Sequence, residues 1–173
     1  MFIELLKKRR SIRSYTGESL TEEQVRRIMT AALLSPSSRN IRPWEFVLVR
    51  ERKTLEYLSE AKHGAKLLAG VALGVVILGD TEKSDVWVED CSIVASNILL
   101  AATDMNLGAC WVQIRNRSHR DGESAAAYVR RRLSVPGRFD VEAIIGIGIP
   151  AENKPPLDEN DLDWNKLHQE TFK

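Results

Sequence analysis

The chain has 173 residues, of which 43% are hydrophobic and 28% are charged, and its formal net charge is +1. This length suits one domain with a sizeable core, and the composition is too apolar for an intrinsically disordered chain. The near-neutral charge provides no field that would favour nucleic acid or a membrane surface. We therefore expect a single domain over residues 1–173, with no nucleic-acid partner.

The sequence also argues against a membrane or metal protein. The longest apolar run, residues 67–79, is shorter than the roughly 20 residues that cross a bilayer, and the amino terminus begins with an acid-containing helix instead of a signal sequence. Cys91, Cys110 and the three histidines form neither a disulfide framework nor a metal-ligand spacing. We predict a cytoplasmic protein with no metal site and no membrane partner.

The first part of the chain predicts two helices. Residues 2–8 have apolar side chains on one side and end in two lysines. The segment 21–24 has the capping-box pattern, in which Thr21 and Gln24 each satisfy a backbone N–H of the other. Apolar residues then recur at helical spacing until Pro36, which ends the second helix.

The centre of the chain predicts two strands and two helices. Residues 45–50 and 70–78 are predicted as strands, and residues 52–62 as a helix between them. A long helix capped by Ser84 is predicted to run to about Asn106, and its middle is nearly free of charge on every face. A helix of this kind is covered on all sides, so we expect a second subunit to pack on it. Burial wholly inside one subunit is the alternative.

The last third predicts two more strands, a helix and a tail. Residues 109–114 and 141–148 are predicted as strands, and residues 124–133 as a helix between them. From Pro150 onward the chain is an extended acidic arm with large apolar side chains but no core of its own. Such an arm needs another surface, so we predict that residues 150–173 pack on a partner subunit.

Alternating strands and helices would by themselves suggest a parallel, doubly wound sheet. The glycine fingerprint that binds a dinucleotide in such a sheet is missing. Gly70, Gly74 and Gly79 are too widely spaced, and the segment 146–150 ends in proline where a helix would have to begin. A Rossmann-type domain is therefore disfavoured.

Two polar clusters near the amino terminus indicate a binding site. Arg9, Arg10 and Arg13 stand beside Ser11, and guanidinium groups match phosphate oxygens in charge and geometry. The segment 36–44 adds two hydroxyls and an amide, which suit the polar edge of a planar heterocycle. Together the clusters predict a flavin mononucleotide (FMN) site. Taken singly, the first could be a solvated helix end and the second a turn.

Other polar residues are interpreted as structural. Cys110 lies in a predicted strand, where a free thiol is usually a small buried hydrophobe. His63 and Lys66 precede a buried strand and are interpreted as surface or packing residues. Arg130–Arg132 are interpreted as a solvated helix face.

With these residues in hand, the chain resembles the nitroreductase family of FMN-dependent oxidoreductases over essentially its whole length. The resemblance rests on residues 9–13, 35–44, 106–111 and 145–150, followed by Lys154. It implies an α+β fold in which helices flank a mixed central sheet. It also implies an intertwined homodimer with two flavin sites at the subunit interface, in which the carboxyl-terminal arm adds to the partner's sheet.

The resemblance implies roles for the residues of the first cluster. Arg9, Arg10 and Arg13 would hold the phosphate and ribityl chain of FMN, and Arg13 would also reach towards the pyrimidine edge of the ring. Ser11 would support the same contacts. Lys154 would bind the phosphate.

The resemblance also implies contacts with the flavin ring. Four residues of one loop would reach it from the other subunit: Pro36, Ser37, Ser38 and Asn40. Three strand residues would bring backbone groups towards the reactive nitrogen of the ring: Trp111, Val112 and Gln113. Two positions depart from the family pattern, since Arg42 stands where glutamine is common and Pro156 replaces a common arginine. The phosphate contacts therefore depend more on the amino-terminal arginines.

The predicted function is a cycle of two half-reactions. NADH or NADPH delivers hydride to the flavin, and a nitroaromatic, a quinone or a similar small-molecule acceptor then takes it up. No catalytic side chain is required, because FMN carries the chemistry. The short chain predicts an open, permissive pocket. The alternatives are a non-enzymatic flavin-binding or storage protein and a flavin-dependent dehalogenase or dehydrogenase on the same fold.

Overall fold

A computed structural model describes residues 1–172, without the side chain of Asp121. Lys173, the last residue of the predicted arm, lies outside the described residues. The helices in the described part are α1 (Phe2–Lys8), α2 (Glu22–Leu33), α3 (Arg52–Ser59), α4 (Trp87–Asp104) and α5 (Ala125–Leu133). The strands are β1 (Trp44–Val49), β2 (Leu73–Asp80), β3 (Gly108–Gln113) and β4 (Phe139–Gly148). Within residues 1–172, no helix has the length and apolar composition needed to span a membrane.

The four strands form one sheet in the order β1-β2-β4-β3, and every neighbouring pair is antiparallel. The disfavoured parallel, doubly wound sheet is therefore absent from residues 1–172. The parallel component of the predicted mixed sheet is one isolated bridge between Ser11 and Ala109. This bridge attaches the arginine-rich segment to β3, which lies at one edge of the sheet.

Helices cover both faces of the sheet. One face packs on α3 and α5 through a core that includes Leu58, Val129 and Ile144. The opposite face packs on α2 and α4, and Ile145 belongs to that second core. Adjacent strand residues point to opposite faces, so a strand covered on both sides reads as a continuous apolar run. Each residue of β2 is buried for this reason.

Local sequence patterns set most element ends. In the capping box of α2, Gln24 N–H donates to Thr21 Oγ1 at 3.2 Å, and Thr21 N–H donates to Gln24 Oε1 at 2.8 Å. The helix predicted over residues 2–8 is confirmed as α1, and Ser124 caps α5 by accepting a hydrogen bond from Ala127 N–H.

Three predicted boundaries are wrong. The helix predicted over residues 52–62 ends at Ser59, and the strand predicted from residue 70 begins at Leu73, because a short 3-10 turn over Lys66–Gly70 occupies the connection. Ser84 does not cap α4, whose N-cap is Val86. The Ser84 hydroxyl instead accepts a hydrogen bond from Val86 N–H at 3.3 Å, within the turn before the helix.

The start of α4 depends on a close contact with β2. A Cβ atom at Gly79 would lie 2.1 Å from Cε3 of Trp87, so any larger residue there would collide with the indole ring. Glycine is required where two elements approach this closely. The indole of Trp87 therefore seats the first turn of α4 directly on the sheet.

A single chain leaves apolar surface exposed on α4 and on the arm. Ile93 on α4 is 42% exposed, although the predicted helix middle carries almost no charge. The arm contacts α1 of its own chain, where Leu157 N–H donates to the Lys7 carbonyl at 3.0 Å. Further along the arm, Trp164 and Phe172 are 64% and 89% exposed.

A β-bulge in β4 places a carboxyl group in the interior. Ile77 of β2 pairs with Ala143 and Leu78 pairs with Val141, which leaves Glu142 as the extra residue. Glu142 is 3% exposed, and its Oε1 accepts a hydrogen bond from Gln113 Nε2 at 3.3 Å. Among the described residues Oε2 has no hydrogen-bond partner.

Burial raises the pKa of the Glu142 carboxyl, and Gln113 and Arg115 only partly oppose this effect. The negative charges of Asp140 and Glu89 raise it further. The folded protein therefore binds more protons than the unfolded chain above the ordinary pKa of 4.5. A raised carboxyl pKa of this kind makes the free energy of unfolding fall as pH increases through the window between the two values.

We predict that Glu142→Gln removes this pH dependence. Glutamine keeps an acceptor for Gln113 but carries no charge, so the variant should gain stability relative to the wild type as pH increases above the ordinary carboxyl pKa of 4.5. Urea unfolding across this range measures the difference, with Glu45→Gln on the exposed side of β1 as the control. A stability difference that is independent of pH would contradict the prediction.

Candidate functional site

The arginine-rich segment lies along the outer edge of β3. The helix α1 ends where Arg9 N–H donates to the Leu5 carbonyl at 3.0 Å, and the chain then becomes extended. Ile12 N–H donates to the Ala109 carbonyl at 3.0 Å. A Cβ at Gly108 would lie 2.7 Å from Ile12 Cγ2, so the glycine lets the two segments approach.

The beginning of the arm closes over this segment. Ala151 N–H donates to the Ser14 carbonyl at 2.9 Å. Glu152 Oε1 accepts hydrogen bonds from the backbone N–H groups of Arg13 at 2.5 Å and Ser14 at 3.2 Å. The bond from Arg13 is the main cause of a lowered pKa for the Glu152 carboxyl, which is therefore ionised at neutral pH.

Lys154 ties the arm to the same segment. Its Nζ donates to the Ser11 carbonyl at 2.6 Å and lies 3.5 Å from Glu152 Oε2. Arg10 of the segment in turn donates to the Pro155 carbonyl of the arm. Residues 9–13 and Lys154, predicted to act together, are therefore brought together by the fold.

These cations surround a buried thiol. Cys110 is 2% exposed, as predicted for a core residue, and burial raises the pKa of its thiol. The positive charges of Arg13, Lys154 and Arg9 oppose the increase, and so does a contact with Ser11. The thiol is therefore neutral at pH 7, so it does not neutralise the positive charge of the cluster.

A cleft of about 220 Å³ opens beside the cluster, with Lys8, Arg10 and Lys154 in its lining. Its carboxylate, Glu152, already accepts two backbone hydrogen bonds. The side chain of Lys8 is held by Asn106 Oδ1 at 2.5 Å. The lining thus has three cationic donors and one carboxylate, which is already hydrogen-bonded to the backbone. This excess of positive charge matches the negative, acceptor-rich surface of a phosphate group. The residues present therefore fit the phosphate end of FMN.

The second predicted cluster is a rigid loop with unusual backbone geometry. Arg39, Asn40 and Arg42 have positive φ values of 49°, 56° and 52°. Such values are uncommon outside glycine and persist only where surrounding contacts hold them. Here Arg42 N–H donates to Ser37 Oγ at 2.9 Å, and Arg42 Nε donates to Asn40 Oδ1 at 2.9 Å.

A buried carboxylate of α4 anchors this loop. Ser38 N–H donates to Asp90 Oδ1 at 2.8 Å, and Asp90 is 3% exposed. The second carboxylate oxygen, Oδ2, has no hydrogen-bond partner among the described residues. Pro36, at the start of the loop, is exposed. The loop is therefore placed against α4 and presents its outer side to solvent.

The fold does not join the two clusters within one chain. Polar contacts of residues 9–13 go to α1, β3, the arm and Tyr15, whereas those of residues 36–42 go to α4, to Asp85 in the turn before it and to the loop itself. In the part of the chain that the structure describes, no hydrogen bond or ion pair links them.

The predicted strand residues Trp111, Val112 and Gln113 lie on β3. Trp111 Nε1 donates to Gln113 Oε1 at 2.8 Å, and Gln113 Nε2 contacts Glu142, so both side chains are fixed. Val112 is buried in the core. Because β3 is the edge strand of the sheet, its outer side past the bridge at Ala109 carries no further strand within residues 1–172.

Lys8, which lines the cleft, and two acidic residues were not predicted as site residues from the sequence. Glu152 holds the backbone of the arginine segment, and Asp90 holds the loop that contains Ser38. Both are acidic residues in segments that also contain other charges, so residue type and spacing did not distinguish them.

Comparisons with known proteins agree with this architecture. The model of the nitroreductase family matches residues 6–87 and 68–149. Two archaeal relatives carry the name "Putative NADH dehydrogenase/NAD(P)H nitroreductase". The protein of Methanothermobacter thermautotrophicus is 34% identical over 98% of this chain and 87% of its own length. The protein of Archaeoglobus fulgidus is 31% identical over 98% of each chain.

A solved structure is also similar over nearly the full length. The FMN-dependent nitroreductase of Clostridium difficile R20291 is 44% identical, with a TM-score of 0.97 over 98% of this chain and 99% of that one. This likeness confirms the predicted α+β nitroreductase fold. The family model, the archaeal relatives and the shared fold together show that the chain belongs to the nitroreductase family.

Proposed function

We propose that this chain is an FMN-dependent oxidoreductase that uses NADH or NADPH to reduce nitroaromatic, quinone or similar acceptors in two half-reactions. The observation that carries the proposal is the cationic cleft at the edge of β3, which is lined by Lys8, Arg10 and Lys154, whereas Arg9, Ser11 and Arg13 lie next to it in the chain and do not line it. A 44% identical protein with the same fold is an FMN-dependent nitroreductase, which supports the choice of cofactor.

In this proposal the first cluster holds the phosphate end of FMN. Arg9, Arg10 and Lys154 bind the phosphate and ribityl chain, and Ser11 supports these contacts. Arg13 lies towards the pyrimidine edge, where its positive charge favours the reduced, anionic state of the ring. When bound, FMN supplies the two-electron redox chemistry. The residues of the chain bind and orient it, and none acts as an acid, base or nucleophile.

In the proposed dimer, β3 of one subunit and a loop of the second subunit would hold the flavin ring. Trp111, Val112 and Gln113 present backbone groups to it, which is supported by the free outer side of the edge strand. Four loop residues contact it from the partner: Pro36, Ser37, Ser38 and Asn40. Support for this division comes from the absence of a polar link between the clusters within residues 1–172 and from the anchoring of the loop by Asp90.

We therefore propose an intertwined homodimer in which the arm over residues 150–173 begins on its own chain, where Lys154 and Leu157 contact residues 7–11, and continues onto the partner. Exposed apolar side chains on α4 and on the arm support it, because contiguous apolar surface usually marks an interface. The two cysteines are unpaired, which suits the reducing cytoplasm. The proposed pocket is permissive towards flat acceptors.

Anaerobic mixing tests the proposed reaction. Purified protein with bound FMN should lose its visible flavin absorbance within seconds after NADH or NADPH is added, because hydride reaches the ring. A nitroaromatic or a quinone should then restore the absorbance in the absence of oxygen. Absorbance that persists in the presence of both nucleotides would identify a flavin-storage protein and contradict the proposal.

The phosphate contacts are tested by Arg10→Ala and Lys154→Met. Each removes a charged donor worth about 1.5–3 kcal/mol, so the Kd for FMN should increase about 10- to 100-fold. Titration of the FMN-free protein, followed by the quenching of flavin fluorescence, measures the change. Arg26→Ala is the matched control, since Arg26 is exposed and pairs with Glu23 on α2. Unchanged FMN affinity in both variants would show that the cleft is not part of the FMN site.

The dimer is tested by Ile93→Glu. Ile93 is 42% exposed on α4, and a carboxylate there would be buried without a partner at the proposed interface. The variant should sediment as a monomer and lose FMN. Lys53→Glu is the control, because Lys53 is exposed on α3, which covers the opposite face of the sheet from α4. Sedimentation of Ile93→Glu as a dimer would contradict the assignment of α4 to the interface.

A further inference from the structure

A second cleft, of about 520 Å³, lies beyond the carboxyl end of β3. It opens between the connection from α3 to β2 and the connection from β3 to α5. Six side chains give it its chemical character: Glu60, Lys62, His63, Lys66, His119 and Arg120. Its volume is in the range of small-molecule sites. The contacts proposed for FMN leave this cleft without a ligand.

A column of stacked rings ends at this cleft. Tyr57 and Tyr128 stack with ring centroids 4.3 Å apart and planes 10° apart. His119 continues the column on Tyr128, at 3.9 Å and 25°. The imidazole is also held by Nδ1, which lies 3.1 Å from the Ala61 carbonyl. The last ring of the column is therefore pre-oriented at the cleft, where a planar base could extend the stack.

The cleft also carries an excess of positive charge. Lys66 and Arg120 share a single carboxylate, Glu60, whose pKa is lowered mainly by Lys66. Lys62 is half-buried near Gly64, and among the described side chains no ion pair reaches its Nζ. Three cations against one carboxylate favour an anionic ligand. A ring face next to a group of cations that outnumber their carboxylate matches a nucleotide, which has a flat base and phosphates.

The location fits a second nucleotide beside the first. The cationic cluster lies at the start of β3, where Ser11 bridges Ala109, whereas this cleft lies past its end at Gln113. A strand of six residues extends about 17–20 Å. The proposed phosphate contacts of FMN therefore lie at the start of β3, whereas part of the lining of this cleft comes from residues 118–120, which follow the end of the strand.

We propose that this cleft binds the adenosine half of the nicotinamide cosubstrate, with the adenine stacked on His119 and phosphate groups on Lys62 and Arg120. The inference rests on the proposed function, because it places the cosubstrate of that reaction. The shared ligand chemistry is an adenosine phosphate. Its phosphates come either from the pyrophosphate common to NADH and NADPH or from the 2′-phosphate of NADPH.

Calorimetry with adenosine 5′-monophosphate and adenosine 2′,5′-bisphosphate tests the site directly on the FMN-loaded protein. Both probes should bind, and each should compete with the cosubstrate in steady-state kinetics. His119→Ala should weaken both probes about 5- to 100-fold, since one base stack is worth about 1–3 kcal/mol. His119→Phe keeps an aromatic face and should restore most of the affinity, which a merely structural role of the imidazole would not predict.

The cation contacts are tested by Lys62→Ala and Arg120→Ala. Each should increase the KM for the cosubstrate about 10-fold and leave kcat nearly unchanged, because the contacts lie away from the reacting atoms. Arg117→Ala is the matched control, since Arg117 is exposed in the same connection but does not line the cleft. A change for NADPH alone would assign the cations to the 2′-phosphate, and a change for both nucleotides would assign them to the pyrophosphate.

Two results separate this inference from the proposed function. If NADH or NADPH bleaches the flavin while neither probe binds and the cation variants keep wild-type KM values, the cleft assignment is wrong and the reaction stands. If neither nucleotide bleaches the flavin, the proposed reaction fails. Calorimetry with the two probes then still decides whether the cleft is an adenosine phosphate site, since binding supports that assignment and no binding overturns it.

Discussion

The attachment of the arginine-rich segment to β3 is the constraint on which the site depends. Ile12 N–H bonds to the Ala109 carbonyl, and the missing side chain of Gly108 leaves the space that Ile12 fills. The chain leaves α1 at a fixed point, so this one contact directs the guanidinium groups towards the edge of the sheet. The arm then meets the same segment through Glu152 and Lys154. A binding site is thus formed from two chain segments and a strand edge.

Carboxylates anchor each functional segment through hydrogen bonds. Glu152 accepts two backbone N–H groups of the arginine segment, Asp90 accepts one from the Ser38 loop, and Glu142 accepts from the side-chain amide of Gln113 on β3. Asp90 and Glu142 are buried, and one oxygen of each has no hydrogen-bond partner among the described residues, which costs free energy.

Local chemistry explains which elements could be predicted. The capping box fixes the start of α2, and Ser124 fixes the start of α5, because each side chain binds a backbone group only a few residues away. The end of α3, the start of β2 and the cap of α4 were predicted wrongly. Contacts with other parts of the chain set these ends. A 3-10 turn precedes β2, and Trp87 packs against Gly79 at the start of α4.

The sequence by itself determined the residue types of the site and, through the order of its motifs, the family resemblance, which in turn implied the α+β class. The order of helices and strands alone would have suggested a parallel sheet. Only the tertiary structure decided which groups meet. Ser11 and Lys154 are 143 residues apart in the chain and 2.6 Å apart in space. The anchoring roles of Asp90 and Glu152 and the ring column at His119 likewise depend on sheet register and helix packing. Such contacts join distant segments, so no local pattern in the sequence encodes them.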